Sequence, residues 1–560
     1  MKVYSRQSLF FWVFLLFFTT IGCESDNDKS REKPNVMIVL VDDMGYSDLG
    51  SYGSEISTPN LDNLAENGLR FTQFYNGARC CPTRASLLTG VYTSQAGIAH
   101  MAGPAFRDFN EHYQGYLNDK VVTIGDVLRD AGYFTAMTGK WHVGMENESM
   151  KPLARGFDRF YGFPKGAGNF FGRMFKGKGH TLEKNDKVVY GPGDAYPEDW
   201  YASFAFAKNG IEFIDEARDN EKSFFLYLAL NAPHWPLQAP DSVMNKYIGK
   251  YREGWEQLRH ERYQRMKETG IIDDTYQLTE FDKTVKPWDS LSQKQQITQD
   301  SIMAAYAASV DLMDQSVGMV VGHLREKGEF NNTLILFLSD NGACAEGPKN
   351  GLGNNVNRNA NPPGPIGSAS SFVRCGRGWA NAQNTPFRLY KHWAHEGGIN
   401  SSFIVHWPEG FDAKGEIRHQ PGHIIDLMAT CVDVADADYP KQHNGEDIMP
   451  YEGTSLVPAF HNESLGRDTL CWEHEGNRAI LAGDWKLVAR VERIREFKQA
   501  DLDQWELYNL KTDPTETNNL VSQFPEKAED LKKAWFRWAA DKGVLPWPWS
   551  DEEFVRSELK

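Results

Sequence analysis

The sequence predicts an α/β fold: one large, doubly wound, mixed but mainly parallel sheet flanked by helices, followed by a smaller α+β subdomain. Three observations lead there. Short apolar runs alternate with helical patterns over residues 34–440, which is the repeat of a doubly wound sheet. Four of those runs end in charged, amide or imidazole residues, as strands do when their carboxyl ends line a binding crevice. After residue 440 the pattern changes to closely spaced short strands and one amphipathic helix.

Each element follows from its own residues. The runs 36–41, 133–137, 224–230, 334–338 and 403–406 are brief, apolar and rich in β-branched or aromatic residues. That composition suits parallel strands buried on both faces. Helical spacing fills 58–68, 123–132, 203–217, 300–327 and 423–435. In the C-terminal region, 472–491 and 504–510 read as antiparallel strands. Leu531, Trp535 and Trp538 repeat at helical spacing within 524–543, so they read as core contacts. Two polar insertions interrupt the pattern, at 342–382 and 247–294. The first lies beside the strand ends and is a candidate specificity loop.

Composition narrows the classes. The chain has 560 residues, 41% apolar and 13% aromatic, enough for a packed core. Its net charge of −16 argues against nucleic acid as a partner and offers an anion no long-range attraction. Any anion site must therefore be locally positive. Seven cysteines are present, widely spaced, without the arrangement of a disulfide scaffold or a zinc site.

Residues 1–22 read as a signal peptide: Lys2 and Arg6 precede an apolar stretch too short to span a bilayer. Thr20-Ile21-Gly22-Cys23 resembles a lipoprotein cleavage box with Cys23 as the lipidated residue, and an ordinary secretory cut near Gly22 is the alternative. Residues 23–33 then form a tether, 34–440 a catalytic domain and 441–560 a C-terminal subdomain. Export follows, to the periplasm or to the outer membrane or cell surface through the lipid anchor.

Two groups of residues carry chemistry. In Cys80-x-Pro82-x-Arg84, Pro82 suits a first helical turn, which puts Cys80 at a helix N-terminus that favours an anion. Arg84 adds positive charge one turn inside. Separately, the strand runs deliver Asp42-Asp43, Gly139-Lys140-Trp141-His142, Asn231 with His234, and Asp340-Asn341 to one edge. Asp42, Asp43, Asp340 and Asn341 offer only oxygen, which suits Ca²⁺ or Mg²⁺ rather than zinc. Three crowded carboxylates repel one another without such a cation.

Together these motifs resemble the formylglycine-dependent type I sulfatases, which have an alkaline-phosphatase-like fold. The resemblance rests on Cys80-x-Pro82-x-Arg84, Gly139-Lys140-Trp141-His142, Ala232-Pro233-His234, and Lys391 ahead of Glu396-Gly397-Gly398. It extends through Trp472-Glu473-His474-Glu475-Gly476-Asn477-Arg478 to the Glu506-Leu507-Tyr508-Asn509-Leu510 stretch. It implies that a maturation enzyme oxidises Cys80 to formylglycine (3-oxoalanine). Cys81 has Thr83 and Ala85 at the corresponding offsets and falls outside the frame.

The resemblance also implies a Ca²⁺ ion, with Mg²⁺ second, held by Asp42, Asp43, Asp340, Asn341 and the modified Cys80. The hydrated aldehyde would attack sulfur in line. Arg84, Lys140, His234 and Lys391 would hold the sulfate, and His234 or Lys391 would protonate the alcohol. His142 would then remove a proton so that sulfate is expelled. The implied substrate is a sulfated carbohydrate, as in a bacterial polysaccharide sulfatase, with Arg374 and Arg377 available for further acidic groups and His474 and Asn477 near the site. Two other readings stay open: a phosphonate or phosphate monoester hydrolase on the same scaffold, and an inactive glycan-binding surface lipoprotein.

Overall fold

The apolar run at 36–41 becomes an inner strand of a ten-stranded sheet. The computed structural model describes Met1 and residues 33–103, 110–166, 168–172, 181–191, 193–347, 349–352, 364–491 and 504–545. The chain divides into Met1–Lys33 and Pro34–Lys560, and all that follows concerns the second unit. The signal segment, Cys23 and most of the tether lie outside the described residues.

In chain order the strands are β1 (Asn35–Val41), β2 (Leu69–Phe71), β3 (Phe74–Tyr75), β4 (Phe134–Lys140), β5 (Arg159–Phe163), β6 (Leu182–Lys184), β7 (Lys187–Tyr190), β8 (Phe224–Ala229), β9 (Thr333–Ser339), β10 (Phe403–His406) and β11 (Glu416–Arg418). The large sheet runs β11-β2-β10-β9-β1-β8-β4-β5-β6-β7. Its middle, from β9 to β5, is parallel throughout. β10 is antiparallel to both β9 and β2, which corrects the expectation of one more parallel strand at 403–406. A strand buried on both faces is apolar whichever way it runs, so its composition carries no direction. The edge β5-β6-β7 is also antiparallel.

Alternation along β1 builds two cores. Met37, Val39 and Val41 face one side, where helices Pro59–Glu66, Ala202–Asp219 and Gln293–Lys327 pack. Val36, Ile38 and Leu40 face the other, with helices Cys80–Thr89, Ile124–Asp130 and Asp426–Val434. The helix Gln293–Lys327 starts earlier than expected because its first turns are polar. Ser292 and Gln295 close that end as a capping box.

The insertion at 247–294 is ordered. It holds the helix Gly254–Glu268, whose Trp255 meets Trp288 and Trp379 edge-on at 4.9 and 5.4 Å between ring centroids. Arg262 on that helix is buried between Asp48 (2.6 Å) and Glu55 (2.8 Å).

Two small ribbons follow, β3 with β12 (Gly422–His423) and β13 (Gln442–His443) with β14 (Glu446–Asp447). The C-terminal region is an antiparallel meander of β15 (Thr469–His474), β16 (Asn477–Ala482), β17 (Trp485–Ala489) and β18 (Trp505–Asn509). Helix Pro525–Asp541 buries Ala528, Leu531, Trp535 and Ala539 against it, while Trp538 stays half-buried. Among the described residues no helix is long and apolar enough to cross a membrane.

Candidate active site

The neighbours β9, β1, β8 and β4 run parallel, so their carboxyl ends meet at one edge of the sheet. β1 runs into Asp42 and Asp43, and β9 into Asp340 and Asn341. β4 ends on Lys140, with His142 two residues on, and His234 follows β8. Asp43 and His142 adopt left-handed backbone at φ 68° and 64°. Such strain costs about 1–3 kcal/mol per residue and persists only where the surroundings enforce it.

Cys80 opens the helix Cys80–Thr89, directly after the extended N-cap Arg79. One turn in, the buried Arg84 uses every guanidinium nitrogen. Nε (3.1 Å) and Nη2 (2.8 Å) donate to Asp340 Oδ2, and Nη1 donates to the Lys140 carbonyl at 2.8 Å. Lys140 Nζ donates to Asp42 Oδ2 at 2.7 Å. Lys391 Nζ donates to Asp43 Oδ1 at 2.8 Å, and Asn341 Nδ2 donates to the same oxygen at 2.7 Å. His234 Nε2 stands 3.3 Å from Asp43 Oδ2. All the residues expected at the site, from Asp42 to Lys391, are buried.

The donor set fits a hard cation. Asp42 Oδ1, Asp43 Oδ2 and Asn341 Oδ1 are buried oxygens without a hydrogen-bond partner. Buried polar atoms are rarely left so, and three oxygens together match the ligand chemistry of Ca²⁺ or Mg²⁺. Electrostatics agree. Burial raises the Asp42 pKa, but Lys140, His234 and Arg84 overcome it and bring the group to about 2. Asp340 is pushed well up, first by burial and then by the Asp42 charge. Two carboxylates this close cannot both stay ionised in a buried site without compensating charge. Burial, then Lys140, lowers His142 to about 4, so its ring is neutral at pH 7.

Glu346 carried no sequence signal. It pairs with Arg79 at 2.8 Å and lies 3.7 Å from Lys391. Cys81, outside the motif frame, places Sγ 3.2 Å from His142 Nε2. Glu396 of the Glu-Gly-Gly motif meets the buried Lys486 at 2.6 Å. Asn477 does not face the site: it donates to the His474 carbonyl and accepts from Val491 N–H within its own hairpin region. His474 is buried beside Glu475 and two further histidines. Arg374 stacks on Trp235, next to His234, with 4.0 Å from guanidinium carbon to ring centroid. Arg377 instead donates to Thr284 at 2.7 Å.

The family model described as Sulfatase matches residues 34–437, and that of the N-sulphoglucosamine sulphohydrolase C-terminal region matches 387–536. An uncharacterized sulfatase of Schizosaccharomyces pombe is 34% identical over 94% of this chain and 97% of its own length. An arylsulfatase of Klebsiella aerogenes is 34% identical over 76% of this chain and 92% of its own. The solved structure of Ps i-CgsB matches with a TM-score of 0.67 at 26% identity, over 94% of this chain and 97% of that one. With most of its length covered by the family model and by relatives at this identity, the chain belongs to the sulfatase family and is a sulfuric ester hydrolase.

Proposed function

We propose that the chain removes sulfate from a sulfated carbohydrate, using formylglycine made from Cys80 and a Ca²⁺ ion held by Asp42, Asp43, residue 80, Asp340 and Asn341. The observation that carries this reading is the convergence of three unpartnered buried oxygens with Arg84, Lys140, Lys391 and His234 beside Cys80. When bound, the cation supplies Lewis acidity and offsets the carboxylates, and the aldehyde supplies a nucleophile that hydrolysis can regenerate.

The chain's own groups do the rest. Lys140 and Lys391 hold ammonium charge in fixed positions and can bind sulfate oxygens as charge develops on them. Arg84, tied at all its nitrogens, holds Asp340 in place. His234 Nδ1 donates to the Trp235 carbonyl at 2.6 Å, which fixes the ring and leaves Nε2 to carry a proton for the departing alcohol. His142, neutral and next to Cys80 and Cys81, can accept a proton. Binding an anionic sulfate ester in a chain of net charge −16 requires this local cluster of cations.

The carbohydrate assignment draws on Ps i-CgsB, whose complex with k-i-k-neocarrahexaose matches with a TM-score of 0.66. We further propose that residues 34–440 form the catalytic domain and 441–560 a supporting subdomain. Export would follow removal of residues 1–22, with lipid on Cys23. A palmitate label lost in Cys23→Ala would support the anchor, and label retained there would refute it.

Hydrolysis of an aryl sulfate and the matched aryl phosphate by the matured protein tests the reaction. The expected result is sulfate preference that disappears in Cys80→Ala with the circular dichroism unchanged. A clear phosphate preference, or full activity in Cys80→Ala, would sink the proposal. A panel of sulfated mono- and oligosaccharides, read by NMR, then identifies the sugar and ester position.

A further inference from the structure

Beside the acidic cluster lies a second group of metal-ligating side chains, brought together from three distant segments. The end of β15 and the turn after it supply His474 and Glu475. The strap after Lys391 supplies His392. The segment beyond helix Cys80–Thr89 supplies His100. His392 Nδ1 is 3.0 Å from Glu475 Oε2, and His474 Nε2 is 3.8 Å from Glu475 Oε1. One ligand atom from each of His392, His474 and Glu475 lies within 4.8 Å of the other two.

The group is built for something beyond packing. His474 is 1% exposed, and neither of its ring nitrogens has a hydrogen-bond partner. His392 and Glu475 both hold left-handed backbone, at φ 93° and 50°. Two strained non-glycine residues and one unsatisfied buried imidazole meet at a single point. His100 accepts from Met101 N–H at Nδ1, which leaves its Nε2–H to donate to Glu475 Oε1 at 3.0 Å. That is how an outer residue orients a ligating carboxylate.

The local charge also favours a cation. Arg79 lies 3.8 Å from Glu475, but its closer partner is Glu346 at 2.8 Å. Arg79 Nη1 also stands 3.3 Å from His392 Nδ1, so an ion here requires that guanidinium to stay with Glu346, which leaves the Glu475 carboxylate as the negative charge among the imidazoles. Two imidazoles and a carboxylate select a zinc-class ion, whereas the oxygen-only cluster at Asp42 selects a hard one.

We propose that His392, His474 and Glu475 bind a divalent transition metal of the Zn²⁺ class, with His100 orienting the carboxylate. The ion ties the C-terminal hairpin to the strap that carries Lys391. This site adjoins Lys391 but shares no ligand with the oxygen cluster at Asp42, so its Zn²⁺ binding can fail or hold whatever the sulfatase assays show.

The test uses the full chain, stripped with a chelator, reloaded with excess Ca²⁺ and titrated with Zn²⁺ alone. The expected result is one saturable Zn²⁺ per chain, weakened at least about 100-fold in His474→Ala and in Glu475→Gln, and about 10- to 100-fold in His100→Ala. Glu475→Gln changes so little shape that it reports on binding even where His474→Ala fails to fold. Co²⁺ in place of Zn²⁺ should give visible d–d bands with no thiolate charge-transfer band. Absence of saturable Zn²⁺ binding, or unchanged binding in folded Glu475→Gln, would overturn the proposal. So would a thiolate band, which would put the ion at Cys80, Cys81 and His142 instead.

Discussion

Arg84 and Glu473 show what single side chains decide here. Arg84 is fully buried and bridges Asp340 to the end of β4 through three nitrogens. A lysine there keeps the charge but loses the fork. Arg84→Lys should therefore cost on the order of 3 kcal/mol in denaturant unfolding, near the range for breaking a buried ion pair, and remove most aryl sulfate turnover. The motif spacing made Arg84 visible as a site residue. Its partner, 256 residues away, left no local trace of the pairing.

Glu473, in β15, is lifted to about 8 by burial, against the Gly476 N–H and Arg478. An unfolded glutamate releases its proton near 4.3. Between those values the folded chain keeps a proton that the unfolded chain has lost. The stabilisation is full below about 4.3 and declines as pH rises towards 8. Glu473→Gln imitates the neutral acid. It should flatten that decline and gain on the order of 3 kcal/mol at pH 7, read from unfolding across the pH range. A variant with the wild-type slope would show that the carboxyl is ionised in place.

At the scale of elements, the C-terminal sheet is joined to the site by a buried triad. Lys486 on β17 meets Glu396 at 2.6 Å and Glu516 at 2.8 Å. Lys486→Met leaves two carboxylates unpaired and should destabilise the protein by about 3–5 kcal/mol. Because Glu396 ends the strap that carries Lys391, turnover should fall as well. Wild-type melting and rate in Lys486→Met would show the triad to be dispensable. The Glu-Gly-Gly motif was legible in the sequence, but the need for its glycines was not. A Cβ on Gly397 would meet the Arg388 carbonyl at 2.3 Å, and one on Gly398 the Trp393 carbonyl at 2.0 Å. The helix at 524–543 was readable because its apolar face repeats at helical spacing. The order in the 247–294 insertion was not, because its polar residues are satisfied by partners elsewhere, as Arg262 is by Asp48 and Glu55.

Over the whole molecule, the cation proposed above would bind where the sheet concentrates its carboxylates, so stability should depend on it. Chelation should lower the melting temperature, and added Ca²⁺ should restore it progressively, by about 2.7 kcal/mol at a hundredfold excess over the dissociation constant. Mg²⁺ should restore less. A melting temperature indifferent to both ions would refute a metal at Asp42, Asp43, Asp340 and Asn341.

The alternation of strands and helices, the acidic strand ends and the Cys80 frame are legible in the chain before it folds. Each of these is written in short-range spacing, because burial and backbone period repeat over a few residues. The order β9-β1-β8-β4 and the reversed β10 emerge only on folding. So do the pairing of Lys140 with Asp42 and of Lys391 with Asp43, and the meeting of His392, His474 and Glu475. Those contacts join segments far apart in the chain, and their partners are chosen by packing and charge across the folded core, which local spacing does not record.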